Sequence, residues 1–175
     1  MTKPVCFEDL QDKVVWITGA AKGMGLAMAQ AFVQQGAKVA LLDIDEAGLR
    51  QAKRSLAVSD DRCLTLAASV TEPDAMDGAV DRIVQTFGKL DVLINNAGVS
   101  MNQPSLTVRA EDWVTAISIN LNGVFFCAQA AARHMVQRRS GVIVCMGSVY
   151  GVTTAPDRAA YCASKSAVVA LSKSL

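Results

Sequence analysis

The sequence predicts an α/β fold of the Rossmann type, in which a doubly wound parallel sheet carries helices on both faces. Two observations lead to this prediction. Five short apolar segments alternate along the chain with segments whose apolar residues recur at helical spacing. The five segments are apolar throughout rather than at every second residue, which is typical of strands buried on both faces of a parallel sheet.

The first half of the chain alternates between the two kinds of segment. We predict strands over residues 13–18, 37–42 and 62–67, and helices over residues 23–35, 46–57 and 72–87. Gly36 fits the position that follows a helix C-terminus, where a left-handed backbone is common. Pro73 fits the first turn of a helix, where its missing N–H donor is not needed.

The second half continues the same alternation. We predict strands over residues 90–94 and 141–146, and helices over residues 111–138 and from residue 158 onward. No linker, internal repeat or low-complexity tract interrupts the pattern, so residues 1–175 are expected to form a single domain. The last helix is still apolar when the sequence stops at Leu175, without a C-cap or closing strand. We therefore expect the sequence to be a fragment or a truncated product.

Charge and apolar content exclude several classes of partner. The 17 basic and 16 acidic side chains give a net charge of +1, which argues against nucleic acid because phosphate binding requires clustered Lys and Arg. Apolar runs are shorter than the ~20 residues that a membrane span needs. Lys3, Pro4, Glu8 and Asp9 break the continuous apolar stretch that a secretory signal needs within residues 1–10. The five cysteines form no Cys-x-x-Cys pair, so we expect reduced, mostly buried thiols and a cytoplasmic location.

A glycine-rich turn follows the first predicted strand. Residues 18–25 are Thr-Gly-Ala-Ala-Lys-Gly-Met-Gly. Glycines at this spacing let the backbone approach a pyrophosphate closely, and the N–H groups at the start of the next helix face its negative charge. The spacing differs from the Gly-x-Gly-x-x-Gly of other dinucleotide folds. We predict a dinucleotide site here, and the alternative is a turn without a ligand.

Two charged residues bear on the choice of cofactor. Asp43 follows the second predicted strand, where a carboxylate accepts hydrogen bonds from both ribose hydroxyls of an adenosine and repels a 2′-phosphate. Lys22, in the glycine turn, is a cation that offsets a 2′-phosphate. This balance favours NAD and leaves NADP open. The alternatives without a cofactor are a helix N-cap for Asp43 and a solvated amine for Lys22.

Tyr161 and Lys165 lie four residues apart in the last predicted helix, so both project from one face. An unperturbed tyrosine has a pKa of about 10, too high for efficient proton transfer near neutrality. One positive charge about 4 Å away favours the phenolate by up to ~4 kcal/mol at an effective dielectric near 20, which lowers that pKa toward neutrality. Tyr161 is then suited to exchange a proton with an alcohol or ketone oxygen of a substrate. Ser148 follows the fifth predicted strand, and its hydroxyl is suited to hold that same substrate oxygen.

The single histidine, His134, limits other mechanisms. A serine hydrolase needs a histidine beside its nucleophile, and the Gly-x-Ser-x-Gly pattern is missing around Ser148. We expect His134, near Arg133 and Arg138, to belong to a solvated helix end. We predict no metal site.

Taken together, these motifs resemble those of the short-chain dehydrogenase/reductase family, in the same chain order and over residues 18–175. The family pattern has a Thr-Gly-x-x-x-Gly-x-Gly turn, an Asn-Asn-Ala-Gly after the fourth strand, a helix asparagine, a serine and a Tyr-x-x-x-Lys. It is matched here by residues 18–25, residues 95–98, Asn120, Ser148 and Tyr161 with Lys165. Extended relatives that act on nucleotide sugars share the Tyr-x-x-x-Lys, but their glycine spacing differs.

The resemblance implies a reaction and a set of residue roles. The reaction is NAD(P)-linked interconversion of a secondary alcohol and a ketone, with Tyr161 as general acid/base and Ser148 orienting the substrate oxygen. Lys165 would lower the tyrosine pKa and bind the nicotinamide ribose, and Asn120 would hold a water that links Lys165 to solvent. Asn95 would help to tie the central sheet together. The implied cofactor-binding residues are Thr18, Gly19, Lys22, Gly23, Met24, Gly25, Asp43, Ser69, Val70, Asn96, Ala97, Gly98, Tyr161 and Lys165.

Two departures from the family pattern affect these expectations. Ser69 stands where many relatives carry an acidic residue that contacts adenine, so we expect weaker rather than absent adenine binding. Family members continue through two further strands that complete the substrate pocket, and the substrate class therefore stays open among sugars, hydroxyacyl thioesters and hydrophobic alcohols. The alternative from another class is a truncated, noncatalytic product that binds a dinucleotide or a protein partner.

The last two predicted helices are apolar around most of their circumference, and such helices must be covered on all sides. The family resemblance implies that paired helices of this kind join subunits across a two-fold axis. We expect a homodimer or homotetramer of the complete protein, and we expect exposed apolar faces to make the 175-residue form prone to aggregation. The alternative is that part of this surface packs within the subunit.

Overall fold

A computed structural model describes residues 7–175, and the strands within them form one five-stranded parallel sheet. The strands are β1 (Val14–Thr18), β2 (Lys38–Asp43), β3 (Cys63–Ala67), β4 (Val92–Asn95) and β5 (Val142–Cys145). Their spatial order is β3-β2-β1-β4-β5, so the direction of strand progression reverses between β1 and β4. This doubly wound arrangement confirms the predicted fold class.

Helices connect the strands, and each predicted helix and strand is present with its ends shifted by no more than two residues. The helices are α1 (Gly23–Gln34), α2 (Glu46–Leu56), α3 (Pro73–Phe87), α4 (Ala110–Ile117), α5 (Gly123–Arg138) and α6 (Ala159–Ser174). A π-helical turn, Ser118–Asn122, joins α4 to α5 into one long helix, and short 3₁₀ turns lie at Glu8–Leu10 and Val149–Gly151. None of these three turns was predicted from the sequence.

The sheet separates two apolar cores. Successive side chains of a strand point to opposite faces, and in β1 Val15 and Ile17 pack toward α1 and α2, whereas Trp16 packs toward α3 and α5. All of β1 is buried. Helices on both faces therefore explain why the central strand is apolar throughout.

The prediction that every strand is buried on both faces is wrong for the two edge strands, β3, of which only Cys63 is buried, and β5. Val142 is 56% exposed and Val144 is 40% exposed, whereas Ile143 packs against the core beneath α5. The physical reason is position: within residues 7–175, β5 pairs with β4 alone and forms an edge of the sheet. Its apolar composition alone does not distinguish an edge strand from a central one.

The cysteines and the histidine test two smaller expectations. Cys63, Cys127 and Cys162 are buried and Cys145 is half-buried, and all four are free thiols, which confirms the prediction for them. Cys6 lies outside the described residues. The end of α5 is exposed to solvent as predicted and His134 is half-buried there, but its Nε2 is buried without a protein partner among residues 7–175, beside a groove between α3 and α5.

One helix, Ala110–Arg138, is long and apolar enough to cross a membrane by length and composition alone. The sequence did not suggest this, because polar residues are scattered along the helix. In the fold, Cys127, Ala128 and Ala131 of this helix are buried against the sheet and α3. A core helix meets the same criterion as a spanning helix, so the prediction of no membrane partner stays a prediction.

Candidate active site

A cleft lies at the carboxyl ends of the central strands, where the loops that follow β1, β2, β3 and β4 meet. Its volume is about 480 Å³. It is lined by Gly19, Lys22, Met24, Leu42, Asp43, Ile44, Asp45, Ala68, Ser69, Val70, Asn96, Ala97, Gly98, Val99 and Ile119. This edge of the sheet is where doubly wound folds bind their ligands.

The glycine turn is built so that the backbone itself forms one wall of the cleft. Gly19 has a φ of +64°, and a Cβ there would lie 2.9 Å from the Ala97 Cα. A Cβ on Gly25 would overlap the Gly19 carbonyl oxygen. No side chain caps the first turn of α1, which begins at Gly23, so its N–H groups are available to an anion.

Asp43 holds the glycine turn in place from the end of β2. Its Oδ2 accepts a hydrogen bond from the Ala21 N–H (3.0 Å) and its Oδ1 accepts one from the Asp45 N–H (3.1 Å). The N-cap alternative for Asp43 is wrong, because Asp45 caps α2 by accepting from the Gly48 N–H (2.8 Å). Each carboxylate oxygen of Asp43 keeps a second lone pair, and the side chain lines the cleft together with the exposed Lys22.

Thr18 and Asn96 join the loops after β1 and β4. The Thr18 Oγ1 accepts from the N–H groups of Asn96 and Ala97, both at 3.0 Å. The Asn96 Nδ2 donates to the carbonyl oxygens of Thr18 (2.9 Å) and Gly19 (3.1 Å). The structure thus places Thr18 behind the cleft wall rather than in it. The Asn96 Oδ1 is buried without a partner among residues 7–175.

The loop after β3 forms the opposite wall. The Ser69 Oγ accepts from the Thr71 N–H (3.3 Å) and lies 2.8 Å from the Thr71 Oγ1. Val70 packs against Gly123 at the start of α5, where a Cβ would lie 2.6 Å from the Val70 Cγ2. The close approach of this loop to α5 was not predicted. The sequence offered one indication of it: Gly123, within a predicted helix, is a residue whose missing side chain leaves room for a neighbouring element.

Tyr161 and Lys165 stand together on α6, as their spacing predicted. The Lys165 Nζ lies 5.9 Å from the centre of the Tyr161 ring and donates to the Met146 carbonyl oxygen at 2.7 Å. Burial, which leaves only 5% of Lys165 exposed, lowers the pKa of its amine. A Cβ on Gly98 would lie 3.8 Å from this Nζ, so the amine adjoins the cleft wall.

Ser148 ends the loop after β5 and begins the 3₁₀ turn that leads toward Tyr161. Its Oγ accepts a hydrogen bond from the Tyr150 N–H at 3.2 Å. The hydroxyl hydrogen is not used by that bond. Ser148 is therefore held in place as an acceptor while remaining able to donate.

Asn120 lies in the π-helical turn and is fully buried. Its Nδ2 donates to the Val99 carbonyl oxygen (2.9 Å) and the Ser164 Oγ (3.1 Å), and its Oδ1 accepts from the Val99 N–H (2.8 Å). Both amide hydrogens are thus taken by protein atoms, and Asn120 fixes the loop after β4 to α6. That Asn120 holds a water beside Lys165 stays a prediction. Nearby, the Asn95 Nδ2 ties β4 to α5 through the Val124 carbonyl oxygen (3.1 Å).

The arrangement fits a dinucleotide. Uncapped N–H groups of α1 suit a pyrophosphate, the remaining lone pairs of Asp43 suit ribose hydroxyls, and the Lys165 amine lies at the far end of the same wall. Sequence analysis missed several apolar lining residues, namely Leu42, Ile44, Ala68, Val99 and Ile119. Ile44 directly follows Asp43, and Val99 directly follows the Asn-Asn-Ala-Gly of residues 95–98, so both could have been predicted from their neighbours in the sequence.

Comparison with known proteins agrees with this geometry. A family model described as short chain dehydrogenase matches residues 13–175. The chain is 35% identical over 164 residues to the 3-oxoacyl-acyl-carrier-protein reductase FabG of Thermotoga maritima, and the match covers 94% of this chain and 67% of that protein. This chain spans 60 to 67% of the length of the curated relatives that it matches.

Two solved structures are similar throughout the described fold. A crystal structure of a short chain dehydrogenase from Bacillus anthracis has a TM-score of 0.92 at 32% identity, over 95% of this chain and 69% of that one. NAD⁺-bound xylitol dehydrogenase has a TM-score of 0.90 at 34% identity, over 94% of this chain and 64% of that one. Because the family model matches nearly all of the sequence and these folds coincide, the chain belongs to the short-chain dehydrogenase family.

Proposed function

We propose that the protein is an NAD-dependent oxidoreductase that interconverts a secondary alcohol and a ketone. The observation that carries this proposal is the buried Lys165 amine beside Tyr161, at the end of a cleft that fits a dinucleotide. The nicotinamide ring supplies the hydride chemistry when the cofactor is bound. The chain supplies alignment and the proton.

Tyr161 exchanges the proton. In ketone reduction its phenol donates to the carbonyl oxygen, and in alcohol oxidation its phenolate accepts the hydroxyl proton. The Lys165 ammonium, held by the Met146 carbonyl oxygen, favours the phenolate electrostatically. Ser148 donates its unused hydroxyl hydrogen to the same substrate oxygen and so fixes it near Tyr161.

Asp43 supports the choice of NAD over NADP. A 2′-phosphate would approach a carboxylate that is already fixed by two backbone N–H groups, and Lys22 is exposed and less constrained. Asp43→Ala should raise the NADP to NAD ratio of kcat/KM about 10- to 100-fold, and Lys22→Ala should lower it. A wild-type preference for NADP would contradict this assignment. Asp43→Ala should also lower Tm, because two backbone N–H groups lose their acceptor.

Isotope transfer tests the reaction class directly. A panel of secondary alcohols deuterated at the carbinol carbon is incubated with NAD⁺ and the protein, and the NADH formed is analysed by mass spectrometry. We expect deuterium in the nicotinamide ring. Tight NAD⁺ binding without any transfer, across sugars, hydroxyacyl thioesters and hydrophobic alcohols, would favour the noncatalytic, dinucleotide-binding alternative.

The small-molecule substrate, the homo-oligomeric state and the cytoplasmic location belong to the same proposal. Free thiols at Cys63, Cys127, Cys145 and Cys162 support a reducing compartment. The near-neutral charge gives no support to a nucleic-acid partner.

A further inference from the structure

Three side chains form a row that leads away from the proposed proton donor. The Tyr150 ring meets the Tyr161 ring edge-on, with centroids 6.3 Å apart and an interplanar angle of 77°. The Arg158 guanidinium carbon lies 5.1 Å from the centre of the Tyr150 ring. A guanidinium charge thus stands one aromatic ring away from Tyr161.

The charge of Arg158 is not balanced by a carboxylate. Within residues 7–175 its one hydrogen bond is from Nη1 to the Ser100 Oγ at 3.3 Å, and no Asp or Glu oxygen forms an ion pair with it. Arg109, at the start of α4, differs: its Nε and Nη2 bond both oxygens of Asp112. A guanidinium has five N–H donors, so Arg158 keeps most of its donors for another acceptor.

The backbone that carries Arg158 is held in place. The Gln103 N–H donates to the Asp157 carbonyl oxygen at 2.8 Å, which joins the loop after β4 to the residue before Arg158. Arg158 itself directly precedes α6, three residues before Tyr161. The backbone of Arg158 is therefore fixed relative to Tyr161 by α6, and its guanidinium lies between the Tyr150 ring and the Ser100 Oγ.

We infer that the substrate carries an anionic group, a carboxylate, phosphate or sulfonate, and that Arg158 binds it while Tyr150 forms the wall between that group and the reacting carbon. These three groups share the planar or forked oxygen pairs that a guanidinium binds with two parallel hydrogen bonds. The inference rests on the proposed function and narrows its substrate class. Sugars and hydrophobic alcohols without such a group would leave the Arg158 donors unused.

Matched pairs of secondary alcohols test the inference in the full chain. The pairs are 3-hydroxybutyrate with 3-hydroxybutyramide, glycerol 3-phosphate with 3-methoxy-1,2-propanediol, and 2-hydroxypropane-1-sulfonate with its sulfonamide. In at least one pair we expect wild-type kcat/KM to favour the anion about 10- to 100-fold. Arg158→Gln should remove that preference through KM, Arg158→Lys should restore part of it, and the control Arg82→Gln, on the exposed side of α3, should change nothing.

Two results would overturn the inference while leaving the reaction class intact. One is equal use of the anionic and neutral members in all three pairs. The other is an equal loss for both members in Arg158→Gln, which indicates a purely structural role for Arg158.

Calorimetry covers the case in which no alcohol is turned over. Acetoacetate, dihydroxyacetone phosphate and acetonylsulfonate are titrated into the NADH-bound protein. Binding of one of them that is lost in Arg158→Gln supports the anion site while the proposed reaction fails. Binding of none, or binding that Arg158→Gln leaves unchanged, contradicts the anion site itself.

Discussion

At Lys165, burial and hydrogen bonding act in opposite directions on the charge that proton transfer needs. Burial disfavours the ammonium and lowers its pKa, whereas the Met146 carbonyl oxygen, 2.7 Å from Nζ, favours it. Burial is the larger of the causes that shift this pKa. The charged amine that the proposed mechanism uses is therefore held at a cost to stability.

This cost predicts a pH dependence. Because the Lys165 pKa is lower in the folded than in the unfolded chain, the unfolded state binds more protons as pH rises through the folded pKa toward 10.5. Stability attributable to Lys165 therefore increases with pH in that window. We expect the Tm of the wild type, measured relative to Lys165→Met, to rise between pH 7 and about 10. A difference that is flat or falls with pH would contradict burial as the dominant influence on Lys165.

Individual site residues were predictable where the relation is local. Tyr161 and Lys165 are neighbours because four residues make about one helical turn, and this follows from the sequence alone. The partners of Asn120 were not predictable, because they lie 21 and 44 residues away and depend on how three elements pack. Asp43 was located correctly at the end of β2, but its bonds to the turn also depend on that packing.

At the level of elements, the turn between β1 and α1 allows a test of whether close backbone packing supports cofactor binding. Gly25→Ala would place a methyl group against the Gly19 carbonyl oxygen and 2.8 Å from the Asn96 Nδ2. We expect it to weaken NAD⁺ binding at least tenfold and to lower Tm, because the turn and the β4 loop must separate. Titration by NADH fluorescence and thermal melts measure both effects.

Gly78→Ala is the matched control. Gly78 lies inside α3 with open space where the alanine methyl group would stand, so alanine there should stabilise the chain by about 0.5–1 kcal/mol and leave cofactor affinity unchanged. If the two alanine variants behave alike, the close packing of the glycine turn does not matter for binding.

The order of the elements was predictable because apolar runs and helical periodicity repeat clearly along the chain. The π-helical turn was not, because one extra residue in a turn leaves the apolar pattern of a long helix nearly unchanged. The exposure of β5 was not predictable either, since an edge strand and a central strand of the same composition differ only in what covers them.

At the scale of the whole molecule, part of the apolar surface of the last two helices is buried within the subunit and part is not. Ala160 and Val168 of α6 are buried, whereas Phe125 at the start of α5 is 37% exposed and Val114 of α4 is 59% exposed. The alternative that this surface packs internally is therefore correct for only some residues. The two exposed residues, Phe125 and Val114, are apolar and lie on the one long helix that α4, the π-helical turn and α5 form.

We expect this surface to join subunits of the complete protein into a homodimer or homotetramer, and we expect the 175-residue form to aggregate. Light scattering coupled to size exclusion should report a mass of at least two chains for the wild type. Phe125→Lys places a charge on the exposed apolar surface, so it should shift the population toward monomer. The control is Phe7→Lys, an exposed phenylalanine outside these helices. A monodisperse, folded monomer of the wild type would contradict the argument from helix composition.

If Tyr161 transfers the proton in the proposed reaction, removing its hydroxyl must slow turnover without weakening binding of the dinucleotide. Turnover of the best alcohol substrate and the Kd for NAD⁺ are measured in the wild type, in Tyr161→Phe and in Thr86→Val, a control that removes an exposed hydroxyl from α3. We predict that Tyr161→Phe lowers kcat about 10²- to 10⁴-fold with Kd changed less than about threefold, and that Thr86→Val changes neither. Turnover of Tyr161→Phe at the wild-type rate would show that Tyr161 does not transfer the proton.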